Sequence, residues 1–330
     1  MKSQRYSNHH GIQVMRMQQM TTASMLSVAT IWGVYFMPTS PWLGIIGSLA
    51  YLLGYSVVLA IEFVALVLVN RSDTSPKANL NTLMRAFWAE SKLVAKVFCW
   101  RQPFRANAAP DQTQGQKLQG QRGVVFVHGL LCNRGFWTPW LEKLQNRGVN
   151  QPSHAFIALS MEPVFGGIDE FVDQIEIAVQ LVTKVSGLAP ILVCHSMGGL
   201  AARAWFKRQT GYARVHHVVT IATPHQGTWL ARFALGGSGR QMRQGSDWLR
   251  QLDELPVQNG FEQLPKSNSH RADLFTCWYS NCDNIVFPTS AAMMSGANNR
   301  FVAGAAHMQL AFTKEVMEAT FDMIIERPNL

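Results

Sequence analysis

Two long apolar stretches open the chain. Residues 22–37 carry no charge, and residues 43–69 carry a single ionisable group, Glu62. Crossing the hydrocarbon core takes roughly 20 mainly apolar helical residues. The second stretch is long enough and the first is marginal. The pattern predicts transmembrane helices at about 22–38 and 43–69, joined by the uncharged PTSPW. Lys2, Arg5 and Arg16 precede the first run, and Arg71, Lys77 and Arg85 follow the second. Positive flanks favour the cytoplasmic side, so a helical hairpin with both ends in the cytoplasm is expected. The competing topology has one true span, with the first run lying in the interface. A cleaved signal peptide fits poorly, because two apolar runs follow one another. Glu62 has no second charge inside these runs to pair with, so a role in helix packing or near the interface is expected.

The pattern changes after residue 72. Leu80, Leu83, Met84, Phe87, Trp88, Val94, Phe98 and Trp100 recur at helical spacing among Lys77, Arg85, Lys92, Lys96, Arg101 and Arg105. A basic amphipathic helix over 77–105 follows, suited either to an anionic membrane surface or to packing on a soluble domain. Residues 106–121 are small and polar and read as a linker. The expected organisation is a membrane segment (1–72), an amphipathic helix with linker (73–121) and a folded domain (122–330).

In that last region strand and helix patterns alternate. Short β-branched runs at 123–129, 154–160, 189–195, 215–224, 272–280 and 298–305 read as strands. Helical periodicity marks 168–187, the segment after Ser196, and 308–325. Such alternation predicts a mainly parallel sheet with helices on both faces. Residues 226–271 fit no sheet element and read as a helical cap.

Charge adds one distinction. Residues 1–122 hold twelve Lys/Arg against four Asp/Glu, while residues 123–330 hold seventeen against sixteen. The net +9 therefore belongs to the segment that adjoins the apolar runs. With no nucleic-acid motif present, it points to a membrane surface rather than to nucleic acid. Five cysteines without C-x-x-C spacing give no zinc pattern, and Cys277 and Cys282 could pair only in an oxidising compartment.

Candidate chemistry gathers at strand ends. The run ILVCHSMGGLAAR turns from strand to helix at Ser196, with only Gly198 and Gly199 as room beyond Met197. This is the sharp turn G-x-S-x-G that lifts a serine hydroxyl clear of the backbone, with Cys194 in the first glycine's place. A serine needs a base and a residue to orient that base. Asp283 follows one later strand and His307 follows the next, in the chain order this turn requires. An oxyanion would be held by the amide of Met197 and by one after His128-Gly129, with Leu130 the best candidate. His195 and Gly129 shape the turn and the facing loop. Thr223, Pro224 and His225 are expected to be structural or pocket-lining.

The segments VVFVHGLLCNRGFW, LVCHSMGGLAAR, VVTIATPHQGTWLA, YSNCDNIVFP and GAAHMQL together resemble the α/β-hydrolase superfamily, in particular bacterial lipases and esterases, over about residues 122–326. The resemblance implies an α/β-hydrolase fold with a cap. It implies hydrolysis of carboxylic esters without cofactor or metal, with Ser196 as nucleophile, His307 as base and then acid, and Asp283 orienting the imidazole. Lipid-like acyl esters are the expected substrates and the bacterial inner membrane the expected location. Acyl transfer or thioester cleavage on the same residues, or a non-catalytic binding role, are the alternatives. The resemblance is silent on the membrane segment, and oligomeric state is not readable.

Overall fold

The computed structural model describes residues 12–146, 153–208, 214–253 and 271–326. Lys2, Arg5 and the 254–270 part of the expected cap lie outside the described residues.

Three helices lead the chain: α1 (Ile12–Phe36), α2 (Pro41–Leu53) and α3 (Tyr55–Val69). The first begins ten residues earlier than its apolar run. Its polar half is bound to the domain. The Gln18 amide donates to Leu131 O at 3.0 Å, and the Gln19 amide to Pro103 O at 2.6 Å. Apolar content alone cannot reveal such a start. The second expected helix is broken at Gly54, where Ser56 Oγ bonds Leu53 O at 2.6 Å. A Gly/Ser pair is a recognised cause of a helix kink. α1 and α2 pair closely through small residues. Ser48 Oγ reaches Ala29 O at 2.7 Å, and Gly47 lies under the Trp32 indole. Among the described residues one helix, Tyr55–Ser72, is long and apolar enough to cross a membrane.

The amphipathic helix forms as α4 (Leu80–Lys96), capped by Asn79 and continued by a π-helical turn over Val97–Arg101. It has two apolar sides. Leu83, Phe87, Val94 and Phe98 pack inward, while Leu80, Met84, Trp88 and Trp100 are exposed. The expected linker is more than a tether. Gln112 bridges to Phe156, and Asp111 Oδ1 accepts from Arg134 at 2.6 Å and from Ala158 N at 3.0 Å. It thus closes one edge of the sheet.

The sheet has six strands, all parallel: β1 (Val124–Val127), β2 (Phe156–Ala158), β3 (Ile191–His195), β4 (His217–Ile221), β5 (Phe275–Ser280) and β6 (Asn298–Val302), in the order β2-β1-β3-β4-β5-β6. Each is shorter than its apolar run, because the run's ends serve loops. Successive side chains face opposite sides. Val125, Val127, Leu192 and Cys194 enter one core with α6 (Val172–Ser186) and α7 (Met197–Lys207). Val124, Phe126, Ile191 and Val193 enter the other with α5 (Thr138–Gln145) and α11 (Lys314–Ile325). The described part of the cap holds two short helices, α8 (Gly237–Gln241) and α9 (Asp247–Asp253). Trp248 and Gln241 tie it to Asp169. The expected final helix is split into α10 (His307–Leu310) and α11.

A third, smaller cluster joins the N-terminal helices to the domain. Phe63, Leu66 and Ala86 pack with Cys282, Phe287 and Ala306. Those last three residues stand in the loops after β5 and β6.

Candidate active site

Parallel sheets place their sites at the strands' carboxyl ends. Ser196 follows β3, Asp283 follows β5 and His307 follows β6, so all three lie at that edge. Ser196 has φ 54 and ψ −127, a conformation costly for any residue with a side chain. Its surroundings enforce it. A Cβ on Gly198 would lie 2.5 Å from Val127 O and 2.6 Å from His128 O. On Gly199 it would meet the Thr223 side chain at 2.2 Å. Cys194, where the usual motif has glycine, is fully buried in the core on its own side of the sheet.

His307 and Asp283 are brought into contact. His307 Nδ1 lies 2.9 Å from Asp283 Oδ1 and 3.1 Å from Oδ2. Asp283 Oδ1 also accepts from Ile285 N at 3.0 Å and Val286 N at 2.8 Å, which fixes the carboxylate plane. Burial would push the His307 imidazolium down, but the Asp283 charge and hydrogen bond, with Glu90 behind them, hold it above the ordinary value. No hydrogen bond joins Ser196 to His307 among the described residues; the contact is made by the serine's sequence neighbour. The His195 ring lies 4.7 Å from that of His307, and His195 Nε2 meets His307 O at 3.2 Å. His195 also stacks on Phe136 at 4.5 Å, and burial lowers its pKa far below that of free imidazole.

The facing loop is equally fixed. His128 Nε2 accepts from Met161 N at 2.9 Å, so its proton sits on Nδ1 and points to Gly129 O at 2.8 Å. Burial lowers its pKa to about 4, and it stays neutral. Gly129 approaches Ser196 so closely that a Cβ would lie 2.9 Å from the serine Cβ. Leu130 packs on the core, and Leu131 adopts φ 58. Met197 begins α7, so its amide stands at the positive end of a helix dipole. His225 is held inside the fold, its Nε2 2.9 Å from Thr220 Oγ1.

Three residues at the site escaped the sequence analysis as site residues. Glu90, 2% exposed, accepts from Met308 N at 2.8 Å and Gln309 N at 3.0 Å. Glu62 Oε2 accepts from the Asn284 side chain at 2.7 Å, and Asn284 Oδ1 accepts from His307 N at 3.3 Å. The expected packing role of Glu62 therefore has a definite partner, on the loop beside Asp283. A signal existed for Glu90. It is the one acid on α4, and it falls in the inward stripe Leu83, Ala86, Phe87, Glu90, Val94.

A six-stranded parallel sheet with a serine on a left-handed strand–helix turn defines a class, and the chain belongs to it. The alpha/beta hydrolase family matches residues 124–313. Among solved structures, the chain is similar to the mature form of lipase BlEst2 from Bacillus licheniformis, at 15% identity and TM-score 0.51, over 63% of this chain and 93% of that one. The propeptide form of that lipase aligns at 15% identity and TM-score 0.50, over 64% and 51%. Carboxylesterase CesB from Bacillus subtilis aligns at 13% identity and TM-score 0.37, over 74% and 98%. The two lipase alignments are likenesses of fold alone. No curated protein matches the chain by sequence.

Proposed function

We propose that the protein is a membrane-anchored serine hydrolase that cleaves carboxylic, lipid-like esters through an acyl-enzyme. The observation that carries this reading is the buried His307–Asp283 pair at the same sheet edge as the strained Ser196. With Nδ1 engaged by Asp283, Nε2 is the imidazole nitrogen left for a hydroxyl. Ser196 Oγ attacks the ester carbonyl carbon while His307 Nε2 takes its proton. The carbonyl oxygen becomes an oxyanion, held by the amides of Leu130 and Met197. Collapse expels the alcohol, which takes the proton from His307. Water then attacks the acyl-serine with His307 again as base. The acid is released and Ser196 is restored.

The anchor is supported by what the N-terminal helices leave uncovered. Ile31, Val34, Tyr35 and Trp42 are 68–74% exposed around the tip of the α1–α2 hairpin. An apolar surface of this kind suits a membrane contact. Exposed Arg85, Lys92 and Lys96 stand beside exposed Met84 and Trp88 on α4, a pairing suited to anionic headgroups. α1 touches the loop of Leu131 and α3 touches Asn284, so these two N-terminal helices flank the candidate site. An ester dissolved in the bilayer would meet the site at that junction.

The test is direct. Purified protein in detergent should react with a fluorophosphonate probe and turn over a p-nitrophenyl acyl ester. Ser196→Ala should abolish both. Full turnover in that variant would reject the assignment.

A further inference from the structure

Two carboxylates besides Asp283 reach the turn that carries His307, and both come from helices outside the matched family region. Glu90 on α4 grips the first turn of α10, with one oxygen on Met308 N and the other on Gln309 N. Glu62 on α3 holds Asn284, which in turn receives the amide of His307 itself. The residue that must orient its ring is thus fixed at three successive backbone amides, 307, 308 and 309.

Glu90 has no cationic side chain as a partner among the described residues; its hydrogen-bond donors are the two amides. A neutral acceptor could satisfy an amide equally well, and a buried carboxylate is expensive to keep. What a carboxylate adds is charge beside the imidazole. Burial pushes the Glu90 carboxyl up to about 7, opposed first by the Met308 amide and then by the charge of His307. The titratable groups facing His307 are Asp283, Glu90, Glu62 and His195. Of these, Asp283 touches the ring, while the two glutamates act through the backbone and through space.

We propose that Glu90 is a positioning residue for His307: it holds the histidine turn through the Met308 and Gln309 amides and, when ionised, lends negative charge to the imidazolium formed when Ser196 gives up its proton. This rests on the assignment of Ser196 and His307 made above. It makes the amphipathic helix part of the catalytic apparatus rather than a membrane attachment alone.

The experiment is the pH profile of kcat/KM for Glu90→Gln in the full-length protein, normalised to sites titrated with fluorophosphonate. A carboxylate near an imidazolium favours the charged ring. Its loss should move the acid limb to lower pH by roughly half a unit. A loosened histidine turn should lower kcat roughly tenfold, with KM little changed. A profile that superposes on wild type per titrated site, with only the melting temperature lowered, would overturn the proposal and leave Glu90 structural. If Glu90→Gln does not yield folded protein, Glu90→Asp carries the test, because it keeps the charge but falls short of both amides. Lowered kcat with the acid limb in place supports the proposal, and unchanged kcat overturns it. The two readings fail separately. A wild-type protein that neither labels nor turns over ester sinks the hydrolase assignment, whereas an active wild type with an indifferent Glu90 variant sinks this one alone.

Discussion

Replacing Asp283 by Asn tests the proposed chemistry through the direction of one proton. Oδ1 of Asp283 accepts from two backbone amides, at 3.0 and 2.8 Å, as well as from His307. Those amides are donors, so the asparagine carbonyl oxygen must take that position. The amide nitrogen is then left where Oδ2 stood, 3.1 Å from His307 Nδ1. Its N–H now competes at Nδ1 with the carbonyl oxygen 2.9 Å away, and the negative charge that steadies the imidazolium is gone. With Nδ1 accepting, the ring proton lies on Nε2 and the imidazole can no longer take a proton from Ser196. A wrong tautomer of this kind costs about four orders of magnitude in kcat, or about 5 kcal/mol of barrier. The fold should survive, because side-chain volume and both turn amides are conserved. The assay is kcat on a soluble acyl ester, together with the rate of fluorophosphonate labelling and a thermal melt. A loss below tenfold with an unchanged melt would refute the roles given to His307 and Asp283.

Two further outcomes follow from the geometry. Gly198→Ala sets a methyl against two backbone oxygens at 2.5 and 2.6 Å, so it should destabilise the fold by about 1–3 kcal/mol and displace the serine turn; an unfolding midpoint and activity equal to wild type would contradict this. Glu90, with its carboxyl pushed up to about 7, keeps a proton on folding where the unfolded chain, near 4.5, does not. The folded state then holds more protons, so this group's contribution falls as pH rises from about 4.5 to about 7, by up to about 3 kcal/mol. His307, raised mainly by Asp283 against the effect of burial, adds loss in the same sense above 6.5. The buried histidines 128, 195 and 225, held neutral by desolvation, act in the opposite sense, so the Glu90 contribution is read as the stability difference between wild type and Glu90→Gln, by chemical unfolding in detergent at about pH 5 and about pH 8; a difference that moves in favour of wild type at the higher pH would refute the sign.

What the sequence makes legible depends on how local the cause is. The serine turn is written in five adjacent residues, because its strain needs small neighbours at once. The positions of 283 and 307 are written in the apolar runs that precede them. The parallel sheet follows from continuous β-branched runs such as VVFV, which have no polar side to offer water. Effects that depend on a distant partner are not written locally. The polar first half of α1 is helical because Gln18 and Gln19 find acceptors far along the chain. Asp111 looks like loop chemistry until Arg134 and the β2 edge arrive beside it. Glu62 reads as an anomaly in an apolar run because Asn284 is over two hundred residues away. Glu90 lies between these cases. The helical stripe tells which way it points, but not what waits there.

The small cluster of Phe63, Leu66, Ala86, Cys282, Phe287 and Ala306 has a practical meaning for anyone handling this molecule. The N-terminal helical portion is not a detachable leash. Cutting the chain back to the stretch matched by the family, residues 124–313, would strip the lining from the two loops that carry Asp283 and His307. It would also remove both glutamates that clasp the histidine. A trimmed fragment would inherit the serine turn's address without the walls around it.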